Sequence, residues 1–415
     1  MKAYVGAGAK LVLGSTLLVC FLGGAVGPPA TAADSARKIT DSPAEADPLT
    51  RTGFEHFYNL EYDAAVADFE KAAKAHPDDP FAVNHLLNAV LFRELYRVGA
   101  LDTSLYSSNS FVTKKKFDFD PRVKDRVAEL MARAFTLSEQ RQKADPKDVQ
   151  ALYTRGITRG MRATYLALVE KAWFAALRSA IAARHDHEKV LEMEPDFADA
   201  KTIVGVHNYV AGSLPWAIKV AVSVVGLTGS KQKGLQYLSA AAEGGGETAP
   251  DAKITLALFL RREQRFDDAL RVVRTLTAVY PRNSLFAIEE GNILNAGGHG
   301  MEAIAVFRAV LEKGKKGYYK DPHLELAAFT LGEALRGQRF YKEAAEAYET
   351  VRTFPHRDPE LLQKADLAAG QMHDLQQERE QAVADYNAVI AADSSSPEAQ
   401  QARRFLRQPY RLSSP

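Results

Sequence analysis

Apolar residues recur along most of this chain three and four positions apart, the spacing of helices that each bury one face. The helices come in pairs. A helix carrying Leu256 and Ala257 precedes one carrying Ala269, Val273 and Leu276 that stops at Pro281; a helix carrying Gly291 then precedes one carrying Ala303, Phe307 and Val310. The step from Ala269 to Ala303 is a period of about 34 residues, the length of one helix pair and its turns. Leu49, Gly53, Ala65, Phe69, Ala72 and Pro77 follow the same order near the start. Small residues at Gly53 and Ala65 let two antiparallel helices approach, and Phe69 fills the space towards the next pair. Two looser copies carry Gly332 with Ala344, Tyr348 and Val351, and Gly370 with Ala382, Tyr386 and Val389. Their wider alanine spacings, from Ala303 to Ala344 and on to Ala382, place the extra residues in connecting loops. Residues 397–407 read as a polar capping helix, which stacked repeats need at their ends.

The central pairs are interrupted. A helix over 81–96 is followed by an insert at 98–120 that mixes Gly99 and several serines with Phe111, Phe117 and Phe119, to be read as an ordered loop or a flexible arm. Asp120-Pro121 then starts a helix over 122–144. Ala151, Leu152, Arg155 and Gly156 open a third pair, and a long amphipathic segment over 164–193 closes it. A fourth pair opens at Ala198, carries Gly205 and Tyr209, is extended by an apolar segment over 216–225, and resumes with Gly234, Leu238 and Ala241. The total is about eight pairs, and no strand-like alternation of useful length occurs.

Composition adds bounds. The chain has 415 residues, 46% hydrophobic and 25% charged, with a net charge of +1, which argues against a nucleic-acid partner. Residues 1–32 differ in kind: Lys2 and Lys10, an apolar run over 11–26, and Ala30-Thr31-Ala32 form a secretory signal peptide with cleavage before Ala33. Cys20, the only cysteine, lies in that run, where lipidation or an uncleaved anchor are alternatives to removal. After cleavage no thiol remains, so an oxidising compartment would not perturb the domain. The expected organisation is a signal peptide at 1–32, a polar lead-in at 33–48, a repeat array at 49–407 and a tail at 408–415, in an exported protein that is periplasmic or secreted.

The repeat period and the small and aromatic positions at 53–77 and 256–310 resemble tetratricopeptide repeats. This implies an all-α, tetratricopeptide-like helical-repeat superhelix, or α-solenoid. Residues 209–215, Gly226, Leu227, Gly229, residues 231–235 and residues 280–283 are further similar to secreted bacterial repeat proteins distantly related to the eukaryotic inclusion body clearance family. Members of that family are implied to be repeat scaffolds, with no catalytic residues to carry over.

Candidate chemistry is sparse. His185-Asp186-His187-Glu188 combines imidazoles and carboxylates, but on a helix His185 and His187 diverge by about 200°, so the expectation is a solvated face, not a metal site. Gly226, Gly229 and Lys231 lack the spacing of a phosphate-binding loop, and no serine-nucleophile elbow occurs. No cofactor is expected. The repeat register points Arg261, Arg262, Asn292, Asn295, Glu333 and Arg336 towards the concave side, where they are either solvated residues or contacts that hold an extended protein or peptide segment. A lysine that some tetratricopeptide proteins place one turn before the asparagine is replaced by Ile288. The expectation is therefore a non-enzymatic protein- or peptide-binding scaffold. The alternative is an envelope assembly factor, peripherally membrane-associated, that meets lipid or a membrane protein through the Trp216 segment or the aromatic insert.

Overall fold

A computed structural model describes residues 47–102, 117–214, 219, 228–320, 323–355 and 358–412. The signal peptide, Cys20, the lead-in up to 46, the insert at 103–116 and the segment around Trp216 lie outside them. Among the described residues there are seventeen α-helices and no strand, which makes the chain an all-α helical-repeat solenoid. Along the chain they count as eight successive pairs and a terminal helix.

Packing divides the chain into two compact units, Met1–Glu263 and Gln264–Pro415. The first contains α1 (Pro48–Tyr58), α2 (Tyr62–Ala75), α3 (Pro80–Arg97), α4 (Pro121–Ala144) and α5 (Val149–Leu168). It continues with α6 (Trp173–Met193), α7 (Ala198–Ser213), α8 (Lys231–Glu243) and α9 (Ala249–Arg262). The second contains α10 (Phe266–Val279), α11 (Ser284–Ala296), α12 (Gly300–Lys315) and α13 (Leu324–Gly337). After these come α14 (Tyr341–Thr350), α15 (Pro359–Leu375), α16 (Arg379–Ala392) and α17 (Pro397–Arg407).

Asp-Pro and Ser-Pro pairs set several helix starts. Asp47, Asp79, Asp120 and Asp358 each accept the backbone N–H two residues on, at 2.8 to 3.0 Å, and Ser396 accepts that of Ala399 at 3.0 Å. In each case proline occupies the first helical position, where its missing N–H costs nothing. Intra-pair turns share another device: a residue in the left-handed region, then an N–H bonded five residues back. Leu60, Arg339 and Gln377 do this with φ of 62°, 65° and 66°, and Glu61, Phe340 and Glu378 donate to His56, Leu335 and His373.

Close approach of paired helices follows one register. The ring of Phe69 lies on Gly53, Phe307 on Gly291, Tyr348 on Gly332 and Tyr386 on Gly370, and in all four the aromatic follows its glycine at the same interval along the chain. In the lengthened third pair His187 takes this place on Gly156, at about twice that interval.

Two expectations are corrected here. The amphipathic segment over 164–193 is not continuous: α5 ends at Leu168 and α6 begins at Trp173, with Lys171 at φ 54° and the Ala172 N–H bonded to Leu166 O at 2.8 Å. Nor is the His185-Asp186-His187-Glu188 stretch a solvated face. His185 is exposed, but Asp186 and His187 are buried. His187 packs on Gly156 and edge-on to Tyr153 with ring centroids 5.3 Å apart. Asp186 receives Arg155 Nη2 at 2.7 Å and Arg159 Nη1 at 2.6 Å.

The described end of the insert is tied to α3. Arg97 donates to Asp118 O at 2.7 Å, the Asp120 N–H donates to Glu94 Oε1 at 2.7 Å, and Phe119 is buried. Among the described residues no helix is long and apolar enough to cross a membrane.

Candidate interaction surface

First helices of successive pairs touch one another within each unit: α3 meets α5 and α7 meets α9 in the first, and α11 meets α13 and α13 meets α15 in the second. In each unit they form a layer whose polar residues fall into two groups, those spent on the fold and those left over.

In the first unit most are spent. Asn84 donates to Thr154 O at 3.0 Å and accepts from Thr158 at 2.8 Å, locking α3 to α5. Tyr58 OH donates to Asp251 Oδ2 at 2.9 Å, joining α1 to α9. Tyr209 stacks on Phe259 at 3.7 Å and donates its hydroxyl to Glu263 Oε1 at 2.8 Å, which also accepts Lys231 Nζ at 2.7 Å. Burial opposes ionisation of Glu263, but the bonds from Lys231 and Tyr209 win and hold its carboxyl below the usual range. His85 is buried among Phe54, Phe69 and Phe81. Among the described residues neither ring nitrogen has a hydrogen-bond partner, and burial pushes the imidazole down to about 4. Arg261 and Arg262, at the end of α9, are half-buried.

In the second unit the four residues singled out from sequence divide. Glu333 and Arg336 are engaged internally: Glu333 accepts the Tyr348 hydroxyl at 2.5 Å, and Arg336 Nη2 donates to Tyr410 OH at 3.1 Å while lying over that ring at 5.8 Å. Tyr410 is also held by its N–H to Asp374 Oδ2 at 2.7 Å. Asn292 and Asn295 differ. Both are half-buried on α11, one turn apart, and among the described residues neither side-chain amide has a hydrogen-bond partner.

One cluster escaped the sequence reading. Glu349 on α14, His373 on α15 and Asp385 on α16 bring ligand-type atoms within 4.8 Å of one another. Their spacing along the chain matches no local motif, and only the stacking of three helices reveals them. The bond from His373 to Asp385 raises the imidazole above its ordinary value against the effect of burial, helped by Glu349 and Glu378.

A family model for the tetratricopeptide repeat matches residues 254–318. No curated protein matches the sequence. Among solved structures, the chain is similar to the APC/C hetero-tetramer Cut9-Hcn1, at 14% identity and a TM-score of 0.49; the likeness covers 89% of this chain and 57% of the matched one. It is also similar to PilF of Pseudomonas aeruginosa, at 14% identity and a TM-score of 0.39 over 62% of this chain and 96% of that one. A third is yeast Tom70, at 15% identity and a TM-score of 0.37 over 88% of each. The chain is a helical-repeat protein built of paired helices, and its residues 254–318 match the tetratricopeptide repeat.

Proposed function

We propose that the protein is a non-enzymatic scaffold that binds an extended protein or peptide segment along its first-helix layer, and that it works as an exported protein of the cell envelope. The observation that carries the reading is the pair Asn292 and Asn295, whose amides have no hydrogen-bond partner among the described residues. Side chains three apart on a helix stand about 5–6 Å from one another. That is near the two-residue repeat of an extended chain, about 6.6 Å, so each amide can bond one peptide group on the same edge of the ligand. Stacked helical repeats generally present such extended surfaces to partners. Lys2, Lys10, the apolar run and Ala30-Thr31-Ala32 support export, and the resemblance to secreted bacterial repeat proteins and the inclusion body clearance family is consistent with a scaffold.

Capture from an envelope extract, using the chain from Ala33 onward beside its Asn292→Ala/Asn295→Ala variant, tests this reading. A partner at least tenfold depleted on the variant is expected; an undiminished partner removes the α11 face from the site. Arg336 is a poor probe because its loss also breaks the bond to the Tyr410 hydroxyl. Flotation of the chain with lipid vesicles, with no protein captured, would favour membrane association instead.

A further inference from the structure

Within the second unit α14, α15 and α16 converge on an acidic surround. Asp385, Glu349 and Glu378 lie about His373, and the Arg352 guanidinium bridges Asp385 to Asp366. Arg352 Nη2 holds Asp385 Oδ1 at 2.5 Å and its Nε holds Asp366 Oδ1 at 2.7 Å. Asp385 Oδ2 in turn stands 2.8 Å from His373 Nδ1. An ionised carboxylate only accepts, so in the neutral ring Nδ1 carries the proton and Nε2 presents its lone pair. This is the carboxylate–histidine arrangement that fixes ring and tautomer behind a metal ion.

Nε2 has no hydrogen-bond partner among the described residues, although His373 is only 7% exposed. It stands 3.8 Å from Glu349 Oε1 and 4.0 Å from Glu378 Oε2, both too far for hydrogen bonds. Two ligands at about 2.0–2.1 Å from one tetrahedral ion sit roughly 3.4 Å apart, so a small shift of either carboxylate towards the imidazole brings it to ligand spacing from Nε2. Both glutamates are partly exposed, at 42% and 45% of their side-chain surface, and can make that move. The turn at Gln377 fixes the backbone of Glu378 beside the imidazole through its N–H to His373 O at 2.9 Å.

We infer that His373, Glu349 and Glu378 form a divalent-cation site of the Zn2+ class, with Asp385 and Arg352 as positioning residues. One imidazole and two carboxylates suit Zn2+ and its neighbours, and the exposed side leaves a position for water.

The test uses the full chain stripped of metal. Calorimetric titration with Zn2+ is expected to show one ion per chain, and Co2+ to develop the visible bands of a tetrahedral site. His373→Ala abolishes both, Glu349→Gln/Glu378→Gln weakens Zn2+ at least tenfold, and Asp385→Asn weakens it about 10- to 100-fold. His185→Ala, on an exposed position of α6, leaves the titration unchanged. No stoichiometric uptake, or uptake unaffected by His373→Ala and by the glutamate pair, overturns the assignment; the second outcome would mark adventitious chelation elsewhere. Should His373→Ala fail to fold, the glutamate pair still decides, since both side chains are partly exposed.

Discussion

Tyr348 lays its ring against the backbone of Gly332, so closely that a methyl group there would lie 2.5 Å from Tyr348 Cε1. The ring is wholly buried and its hydroxyl is fixed by Glu333, so it cannot step aside. Gly332→Ala should therefore lower stability by about 2 kcal/mol, because overpacking outweighs the gain in helix propensity. A methyl group added at Gly337, the end of the same helix, would meet nothing within 4 Å among the described residues. Gly337→Ala should raise stability, by up to about 1 kcal/mol. Urea midpoints of the two variants, expected to move in opposite directions, check the register.

Asp186 is the second test of packing. It is fully buried between two arginines from the preceding helix, both of which remain partly exposed. Removing the shared acceptor leaves two guanidiniums beside an apolar interface. Asp186→Ala should cost about 3 kcal/mol, and Asp186→Asn less, as judged by chemical denaturation. An effect within about 0.5 kcal/mol, the scale of ordinary surface changes, would mean that the pair is not buried in solution.

His85 makes a pH prediction. Burial lowers its value to about 4, so the folded state resists protonation where the unfolded chain, near 6.5, accepts it. As pH falls from 6.5 towards 4 the unfolded state binds more protons, and stability drops by about 1.4 kcal/mol per pH unit. Asp79 only partly offsets burial, and Glu247 Oε2 lies 3.5 Å from Nε2. With no hydrogen bond to lose, His85→Leu should be within about 1 kcal/mol of the parent at pH 7 and about 2 kcal/mol more stable than it at pH 5. Equal acid sensitivity of parent and variant would remove His85 as the cause. His207, also near 4, is buried beside Arg184 and supplies a second, independent proton of the same sign.

Much of this architecture is legible in local sequence. Prolines with an acidic or serine cap mark starts such as Pro359 and Pro397, and glycine-to-aromatic pairs such as Gly370 and Tyr386 give the contact register. The break at Lys171 is not legible, because neither glycine nor proline announces it and the apolar period continues on both sides. His187 is misread for a related reason. The third pair is longer than the others, so the position that an aromatic fills opposite Gly53 or Gly332 falls here on a histidine much further along the chain from Gly156. The proposed interaction surface is only half visible. Register alone gives Asn292, Asn295, Glu333 and Arg336 the same standing, and only the tertiary bonds to Tyr348 and Tyr410 separate residues spent on the fold from those left over.

Arg339 carries a cost that a single substitution can remove. It occupies the left-handed turn between α13 and α14 at φ 65°, with an exposed side chain that makes no hydrogen bond or ion pair among the described residues. A non-glycine residue loses roughly 1–2 kcal/mol there, whereas glycine adopts this conformation freely but has more unfolded-state entropy to lose, about 0.5–1 kcal/mol. The balance favours Arg339→Gly by about 0.5 kcal/mol. The N–H of Phe340 should keep its bond to Leu335 O, at 3.0 Å in the parent. Arg339→Val should move stability the other way, since branching at Cβ aggravates the clash. Thermal midpoints that rank glycine above arginine above valine would establish the turn as a strained closure; a reversed order would mean that the Arg339 side chain makes a stabilising contact in solution.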